Sequence, residues 1–259
     1  MKKTVQDLEI ISNSRLNHDQ HLLIVKSPVP VDEIRPGQFA NLEVAQSKTT
    51  FLRRPFSIFT VDKANNTISF LIKRVGDGTK ALTEMKPGES INTIYPLGNS
   101  FTLADKREKV LLVGGGVGTA PMFILAQELN SIGCEVNILL GARSAADLVE
   151  LDEFKKYGKL LITTEDGSKG EKGFVTQHTV FSEKLAGFDR IYTCGPDPMM
   201  QAVAREAAAK DVFCEVSLEN TMACGFGVCL CCVTPTKEGH KCVCTEGPVF
   251  NINDLKWQI

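Results

Sequence analysis

The chain has 259 residues, of which 43% are hydrophobic, and its 29 Lys and Arg against 31 Asp and Glu leave a formal net charge of −2. This length and composition predict a globular protein with two medium-sized domains, a small module and real hydrophobic cores. The balanced charge, without a basic block, argues against a protein that binds nucleic acid or anionic membranes.

The chain is expected to be cytoplasmic. Gln6, Asp7 and Glu9 interrupt the apolar run that a secretory signal peptide would need. The longest uncharged stretch, residues 110–127, is broken by GGGVGTAP, which predicts a glycine loop between a strand and a helix instead of a membrane span. In a reducing compartment, nine cysteines favour metal or redox chemistry over disulfides.

Residues 1–103 are predicted to form a small antiparallel β-barrel. Turn signals rich in glycine, proline and asparagine separate short β-rich runs, and there is hardly any helical periodicity. The runs are HLLIVKS, QFANLEV, PFSIFTV, TISFLIKRV and SINTIYPL.

Two short motifs in this region could hold a pyrophosphate. RRPFS, residues 53–57, offers a guanidinium that can fork onto phosphate oxygens, and GDGT, residues 76–79, offers backbone N–H groups and a hydroxyl. The alternative is an Arg-Pro turn and a surface hairpin without a ligand, because short motifs often match by chance.

Residues 104–215 change to a rhythm of strand followed by helix. Strand-like runs such as KVLLVG, EVNILLGA, KLLITTE and RIYTCG alternate with PMFILAQELNSIG, LVELDEFKKYG, VTQHTVFSEKL and DPMMQAVAREAAAK. Repeated β-α units predict a doubly wound parallel sheet. In the last of these helices, Asp197 is expected to be the N-cap and Pro198 the first helical residue.

The run KVLLVGGGVGTAPMF predicts a strand, a glycine loop and a helix start, an arrangement that binds a nucleotide pyrophosphate. It departs from the G-x-G-x-x-G pattern, because Thr119 occupies the third glycine position. The acidic residue expected after the next strand is also missing, and Arg143 stands there. The alternative is a tight turn in a sheet that binds no nucleotide.

The strand RIYTC is expected to end at the carboxyl edge of the sheet, where doubly wound folds bind ligands. Cys194 would then face the ligand crevice. The alternative is a buried structural thiol, since free cysteines are commonly core residues.

Residues 216–259 lose regular patterning and are rich in cysteine. Cys224, Cys229 and Cys232 have the spacing C-x4-C-x2-C, and either Cys242 or Cys244 supplies a fourth thiol. This is the spacing of plant-type [2Fe-2S] clusters. A structural zinc site, the competing interpretation, more typically has two C-x2-C pairs, and only one is present.

Other features of the cysteine segment also favour an iron–sulfur cluster. Gly225 and Gly227 allow the loop to wrap closely and to point N–H groups at the sulfurs. Cys231 is expected to be a bystander beside Cys232.

The order of these motifs resembles a known family. RRPFS, GDGT, GGGVGTAPM, CGPDPMM, ENTMACGFGVCLCC and CTEGPVF follow one another as in the electron-transfer subunits of bacterial NAD-dependent dihydroorotate dehydrogenase B, within the ferredoxin reductase superfamily. The resemblance covers essentially the whole chain. It implies an FAD-binding barrel (1–103), an NAD-binding α/β domain (104–215) and a [2Fe-2S] module (216–259).

The resemblance also implies site residues. Arg54 would hold the FAD pyrophosphate, Ser57 would lie near the reactive flavin nitrogen, and Cys194 with Gly195 would lie at the nicotinamide side; Ser57 and Cys194 are thus the candidate catalytic residues. The other cofactor-binding candidates are Pro55, Phe56, Leu71, Ile72, Lys73, Gly78 and Thr79 for FAD, and Gly114, Gly115, Gly116, Gly118 and Thr119 for NAD. The implied cluster ligands are Cys224, Cys229, Cys232 and Cys244.

NADH is predicted over NADPH. The 2′-phosphate of NADP usually needs a basic patch near the adenosine ribose. Arg143 is the only obvious candidate at that strand end, while Glu165 and Asp166 are opposed by Lys169 alone.

The function that the resemblance implies is electron transfer, by way of the cluster and FAD, between NAD and a catalytic subunit with FMN. That subunit would oxidise dihydroorotate to orotate in pyrimidine biosynthesis, in a heterotetramer of two copies of each chain. No general base for dihydroorotate is evident, since His18, His21, His178 and His240 form no constellation. The alternatives are a reductase subunit of a hydrogenase, sulfite reductase or ferredoxin transhydrogenase, or a zinc-stabilised interaction module on an inactive reductase fold.

Overall fold

A computed structural model describes residues 3–31 and 34–257, and its N-terminal part is a closed barrel of six antiparallel strands. The strand order is β1-β2-β5-β4-β3-β6. The strands are β1 (Thr4–Arg15), β2 (Gln20–Lys26), β3 (Phe39–Leu42), β4 (Arg54–Asp62), β5 (Thr67–Lys73) and β6 (Ser90–Leu97). Alternate side chains such as Leu23, Ile68 and Phe70 fill the barrel core. The predicted barrel is confirmed.

One helix in the barrel domain was not predicted. Helix α1 (Asp77–Glu84) begins inside the GDGT motif, where the sequence indicated only a turn or hairpin. The Thr79 hydroxyl accepts hydrogen bonds from the N–H groups of Val75 (2.9 Å) and Gly76 (3.0 Å), and it donates to Gly76 O (2.9 Å). These bonds fix the helix start, so the motif is a helix N-terminus with backbone donors.

The second part is a doubly wound sheet, as predicted. The parallel strands are β7 (Lys109–Gly115), β8 (Glu135–Ala142), β9 (Lys159–Thr164), β10 (Glu171–Lys172), β11 (Arg190–Cys194) and β12 (Phe213–Ser217). The helices are α2 (Thr119–Ile132), α3 (Leu151–Phe154), α4 (Thr179–Glu183) and α5 (Asp197–Ala209). In β7, Val110 and Leu112 pack in the cluster that contains α2, whereas Leu111 and Val113 pack in the cluster that contains α5.

Some predicted helices are shorter or begin elsewhere. The runs 148–158 and 175–185 contain only the single-turn elements α3 and α4 with short 3-10 turns. Asp197 is the first residue of α5 and Pro198 the second, so the predicted N-cap was wrong by one position. Pro196 is the N-cap and gives no side-chain cap.

The C-terminal segment is built into the other two parts. It contains a hairpin, β13 (Val233–Thr236) and β14 (Gly239–Cys242), and a strand β15 (Val249–Asn251) that pairs antiparallel with β12. The sheet order is therefore β10-β9-β8-β7-β11-β12-β15. The domain boundary predicted after residue 215 falls within β12.

The barrel and the sheet share a packed interface. Phe59 of β4 stacks on Phe123 of α2 with ring centroids 4.4 Å apart. Phe39 and Leu97 of the barrel lie in one hydrophobic cluster with Cys232 and Cys244 of the C-terminal segment. No helix within the described residues is long and apolar enough to cross a membrane.

Candidate redox cofactor sites

A cavity of about 370 Å³ lies where β4 and helix α1 begin. It is lined by Thr49, Thr50, Arg54, Val75, Gly76, Asp77, Gly78 and Thr79. A Cβ at Gly78 would lie 3.1 Å from Thr50 Cγ2 and 3.4 Å from Arg54 Nε. The glycine therefore leaves space in the cavity that a larger side chain would fill. A helix N-terminus facing an arginine fits a phosphate group.

The two arginines of RRPFS have different surroundings. Arg53 donates to Asn92 O at 2.8 Å and also to Asn92 Oδ1, which ties the start of β4 to β6. Arg54 lines the cavity, and among the described residues its guanidinium donates only to the carbonyls of Leu52 (3.1 Å) and Arg53 (3.3 Å). The Arg54 guanidinium is therefore the one placed to receive a ligand.

The other FAD candidates divide between the two faces of the barrel wall. The side chains of Phe56 and Ile72 pack in the barrel core. By the alternation of a strand, Pro55 and Ser57 point to the outer face. The candidates on β5 divide in the same way.

Leu71 packs in the cluster that contains α2, and Lys73 Nζ lies 3.3 Å from Asp19 Oδ2. On the outer face of β4 and β5, Pro55, Ser57 and Lys73 are therefore partly exposed, whereas Leu71 is buried.

A second cavity, of about 440 Å³, is a crevice at the point where the chain reverses its direction across the sheet, between β7 and β11. Gly115 and Gly116 line it where β7 ends in the loop before α2, and Pro196 and Met199 line it where the loop after β11 leads into α5. Gln20, Lys73 and Asp147 also line it, and no motif in the sequence had marked Gln20 or Asp147. Open α/β sheets bind ligands at such switch points.

Glycines bring the two crevice loops together. A Cβ at Gly118 would lie 2.5 Å from both Cys194 O and Gly195 N, which leaves no space for a side chain. Gly116 has φ +59° and open space beside it. Thr119 begins helix α2 directly after this loop, so backbone N–H groups lie near the open position. This arrangement fits a dinucleotide pyrophosphate.

Cys194 lies between these loops with its side chain fully buried. Burial raises the pKa of its thiol well above the ordinary value. The thiol therefore packs as a neutral group, as the structural interpretation expects. Neither Cys194 nor Gly195 is among the residues that line the crevice; the two lie behind it, against Gly118.

Directly after β8 and β9, one basic and one acidic residue line the crevice. Arg143 and Glu165, which follow β8 and β9, both line it. Asp166 is not among the lining residues, and its carboxylate accepts from Ser168 N (2.9 Å) and Ser168 Oγ (2.6 Å). Of the two acidic residues that the sequence singled out, only Glu165 is therefore among the described residues that line the crevice.

The cysteines of the C-terminal segment form two groups. Cys224 N donates to Cys229 Sγ at 3.5 Å, and the two thiols are within hydrogen-bonding reach. Cys244 N donates to Cys232 Sγ at 3.4 Å, and the thiols of both Cys242 and Cys244 reach Cys232 Sγ. Cys244 additionally accepts from the Gly227 N–H of the loop formed by residues 218–232, here called the cysteine loop.

This pairing bears on the choice between zinc and iron. A [2Fe-2S] cluster needs two thiolates on each of two irons. The two N–H to sulfur contacts, Cys224 to Cys229 and Cys244 to Cys232, pair the thiols in the way that this requirement asks. A tetrahedral zinc site would instead bring four ligands around one ion.

Backbone donors in the loop favour negative charge on sulfur. Burial opposes ionisation of Cys224, but the N–H groups of Phe226 and Cys229 outweigh it and lower the pKa of the thiol to about 6. Phe226 N lies 3.4 Å from Cys224 Sγ. Burial raises the pKa of Cys244, which a bound cation would counter.

Family models match the chain in the order of its three parts. The oxidoreductase FAD-binding domain matches residues 7–101 and the oxidoreductase NAD-binding domain residues 112–205. The iron–sulfur cluster binding domain of dihydroorotate dehydrogenase B matches residues 219–256. The predicted cofactors, FAD, NAD and an iron–sulfur cluster, are thereby confirmed.

Among solved structures, that of an NADH-dependent reduced ferredoxin-NADP oxidoreductase has a TM-score of 0.87 and 31% identity, and the match covers 96% of this chain and 90% of that chain. The ferredoxin reductase of carbazole 1,9a-dioxygenase has a TM-score of 0.72 and 25% identity, with coverage of 82% and 67%. Both support the ferredoxin reductase-like fold.

Relatives match over nearly their full length. The dihydroorotate dehydrogenase B (NAD(+)) electron transfer subunit of Fusobacterium nucleatum is 36% identical, over 97% of this chain and 98% of its own. That of Shouchella clausii is 35% identical, over 98% of this chain and 99% of its own. The chain therefore belongs to the family of electron transfer subunits of NAD-dependent dihydroorotate dehydrogenase B.

Proposed function

We propose that this chain carries electrons between NAD and a separate catalytic subunit that oxidises dihydroorotate to orotate in pyrimidine biosynthesis. When bound, FAD converts between the electron pair of a nicotinamide and the single electrons of an iron–sulfur cluster. The observation that carries the proposal is that the barrel contacts both the crevice of the sheet and the cysteine loop. Lys73 of the barrel lines the sheet crevice, and Asn41 of the barrel touches the cysteine loop.

The barrel residues would hold FAD. Arg54 and the N–H groups at the start of α1, with Gly78 and Thr79, would bind the pyrophosphate. Thr79 would act by shaping the helix start, because its hydroxyl is already engaged with Val75 and Gly76. The outer face of β4, with Pro55 and Ser57, would support the flavin ring.

The sheet residues would hold NAD. The loop from Gly114 to Thr119 would bind the pyrophosphate, and the backbone at Cys194 and Gly195 would border the nicotinamide. The Cys194 thiol, neutral and buried, would support the floor of the crevice without exchanging a proton.

The cysteine loop would hold the [2Fe-2S] cluster. Cys224 and Cys229 would bind one iron, and Cys232 and Cys244 the other, following the two groups of thiols. Cys244 is preferred over Cys242 because it accepts from Gly227 N–H within the loop. The Cys242 N–H is instead bound by Glu246 at 2.7 Å.

The catalytic partner would bind over the cysteine loop. Phe226, Val228 and Leu230 around the proposed cluster are 45%, 75% and 63% exposed. Three large apolar side chains at the point where electrons must leave form an apolar patch that a partner protein would bury.

The partner would contain FMN, and the complex would hold two copies of each chain. Its substrate chemistry would lie outside this chain, since none of the four histidines lines either cavity and two of them lie beside carboxylates. His18 lies 3.6 Å from Asp147 and His178 lies 3.3 Å from Glu171.

The protein would be cytoplasmic. Its nine cysteines form no disulfide bonds, as is usual for proteins in a reducing compartment.

The test is orotate formation with NAD, measured for this chain alone and after mixing with the FMN-containing subunit. The chain alone should reduce artificial dyes with NADH but form no orotate, and the mixture should form orotate. Orotate formation by the chain alone would refute the proposal.

A second function is favoured by one observation, the 31% identity to an NADH-dependent reduced ferredoxin-NADP oxidoreductase. In that case the partner would exchange electrons with ferredoxin and NADP, with no role for dihydroorotate. A mixture that transfers electrons from NADH to ferredoxin but forms no orotate would support it.

A further inference from the structure

We infer that Asn41 is a positioning residue, which fixes the cluster loop against the flavin-binding wall of the barrel and so sets how fast electrons pass between the two sites. The inference rests on the proposed function, since it needs a flavin on the barrel and a cluster on Cys224. It assigns a role to a residue that no sequence motif marks.

Asn41 lies on β3 and points away from the barrel core. Its neighbours Ala40 and Leu42 both pack in that core, so the side chain between them points to the outer face. In the antiparallel pairing with β4, Asn41 stands opposite Pro55, one of the residues proposed to support the flavin.

The same side chain touches the cysteine loop. Asn41 Nδ2 donates long hydrogen bonds of 3.4 Å to the carbonyls of Ala223 and Cys224. A Cβ at Gly225 would lie 2.9 Å from Asn41 Nδ2, so the loop approaches as closely as a glycine permits. Asn41 therefore joins a strand of the flavin wall to the backbone of a proposed cluster ligand.

Stability alone does not account for an asparagine in this position. Asn41 is 0% exposed, and its Oδ1 has no hydrogen-bond partner among the described residues. Phe39 of the same strand and Leu97 of the adjacent strand are apolar and pack against the C-terminal segment. A buried amide with one unsatisfied atom stabilises less than an apolar side chain of its size would.

The cysteine loop lacks regular secondary structure that could fix its position relative to the barrel. Residues 218–232 contain no helix or strand between β12 and β13, and Gly225 and Gly227 both have positive φ. The loop has few regular hydrogen bonds of its own, so its distance from the barrel depends on side chains that reach it. Residues that hold a metal ligand in place typically affect metal affinity or activity when they are changed.

The test compares Asn41→Asp and Asn41→Leu with the wild-type protein and with Thr93→Val. Both Asn41 variants remove the donor to the loop carbonyls while keeping the size of the side chain. Thr93 is a matched control, because it is also 0% exposed on a barrel strand, and its hydroxyl donates to Ile91 O of its own strand at 3.2 Å. Each purified holoprotein is mixed anaerobically with NADH.

Two properties are measured for each protein. The first is the rate of cluster reduction, from the paramagnetic resonance signal, relative to the rate of flavin bleaching. The second is the rate of iron loss to a chelator. We expect the Asn41 variants to show a fall of about 10- to 100-fold in the relative rate, or a similar acceleration of iron loss.

The thermal stability of Asn41→Leu should stay equal to that of the wild type, or rise, which a merely structural role would not produce. Unchanged cluster reduction and unchanged iron loss in both Asn41 variants would overturn the inference, as would equal changes in Thr93→Val. A wild-type protein without a cluster that NADH can reduce would overturn the proposed function as well, so the two failures are distinguishable.

Discussion

Cys231 and Cys232 are adjacent in the chain but lie in different environments. Cys231 is exposed, whereas Cys232 is 2% exposed and its sulfur accepts from Cys244 N. We expect Cys232→Ser to abolish or strongly destabilise the [2Fe-2S] cluster, because it removes a proposed ligand, and Cys231→Ser to leave the cluster in place. Iron content and the paramagnetic resonance signal of the reduced protein are the measurements. Equal loss in both variants would refute the ligand assignment.

Glu165 is expected to set the preference for NADH. With the adenosine of NAD bound beside the ends of β8 and β9, as proposed, the Glu165 carboxylate would repel the 2′-phosphate of NADPH, whereas Arg143 would attract it. Glu165→Gln should raise kcat/KM for NADPH by about tenfold, which corresponds to ~1.4 kcal/mol, with dye as the acceptor. The matched control is Asp166→Asn, whose carboxylate is held by Ser168 outside the crevice. Similar gains in the two variants would argue against a specific role of Glu165.

At the scale of elements, the sequence predicted those with strong periodicity and missed those set by local capping or distant pairing. Strand β7 is a continuous apolar run and was evident. Helix α1 was missed because GDGT, which contains its N-cap and its first three residues, is also typical of a turn. The hydrogen bonds of the Thr79 hydroxyl with Gly76 favour the helix over the turn. Strand β15 has three residues, and its partner β12 lies more than 30 positions away, so no local pattern could reveal it.

The phosphate site proposed at β4 and α1 predicts a contrast between two arginines. Arg54→Ala should weaken FAD binding by about 10- to 100-fold, since a charged hydrogen bond is worth about 1.5–3 kcal/mol, and should change the stability of the apoprotein little. Arg53→Ala should instead lower the free energy of unfolding by about 2 kcal/mol, because it removes the bonds between β4 and Asn92 of β6. Flavin titration and denaturant unfolding measure the two effects. Weaker flavin binding in Arg53→Ala alone would reverse the assignment.

At the scale of the whole molecule, the contacts that join the three parts were beyond sequence reasoning. The cysteine spacing predicted the cluster chemistry, but the bond between Asn41 and Ala223 spans 182 positions, and nothing in either local sequence indicates it. The contacts of the segment between the barrel and the sheet could not be predicted from local sequence either. There, Thr102 donates to Glu215 through its N–H (2.9 Å) and its hydroxyl (2.7 Å), and its carbonyl accepts from Tyr192 Oη (2.8 Å).

Glu215 should make the docking of barrel and sheet depend on pH. Burial raises the pKa of this carboxyl in the folded protein, although the two bonds from Thr102 and the charge of Arg190 oppose the shift, and Asp254 adds to it. A raised pKa means that the folded state keeps the proton longer than the unfolded state does. The contribution of Glu215 to stability is therefore fully present below the unfolded pKa and is lost as the pH rises through the folded pKa.

Glu215→Gln removes this titration while keeping an acceptor for Thr102. We expect the melting temperature of the wild type, relative to that of the variant, to fall as the pH rises from about 4 to 7, the range in which a carboxyl with a raised pKa titrates. Thermal unfolding of both proteins across this range, at constant ionic strength, is the measurement. A difference between the two melting temperatures that is constant with pH would show that Glu215 is ionised in the folded protein at the same pH as in the unfolded chain.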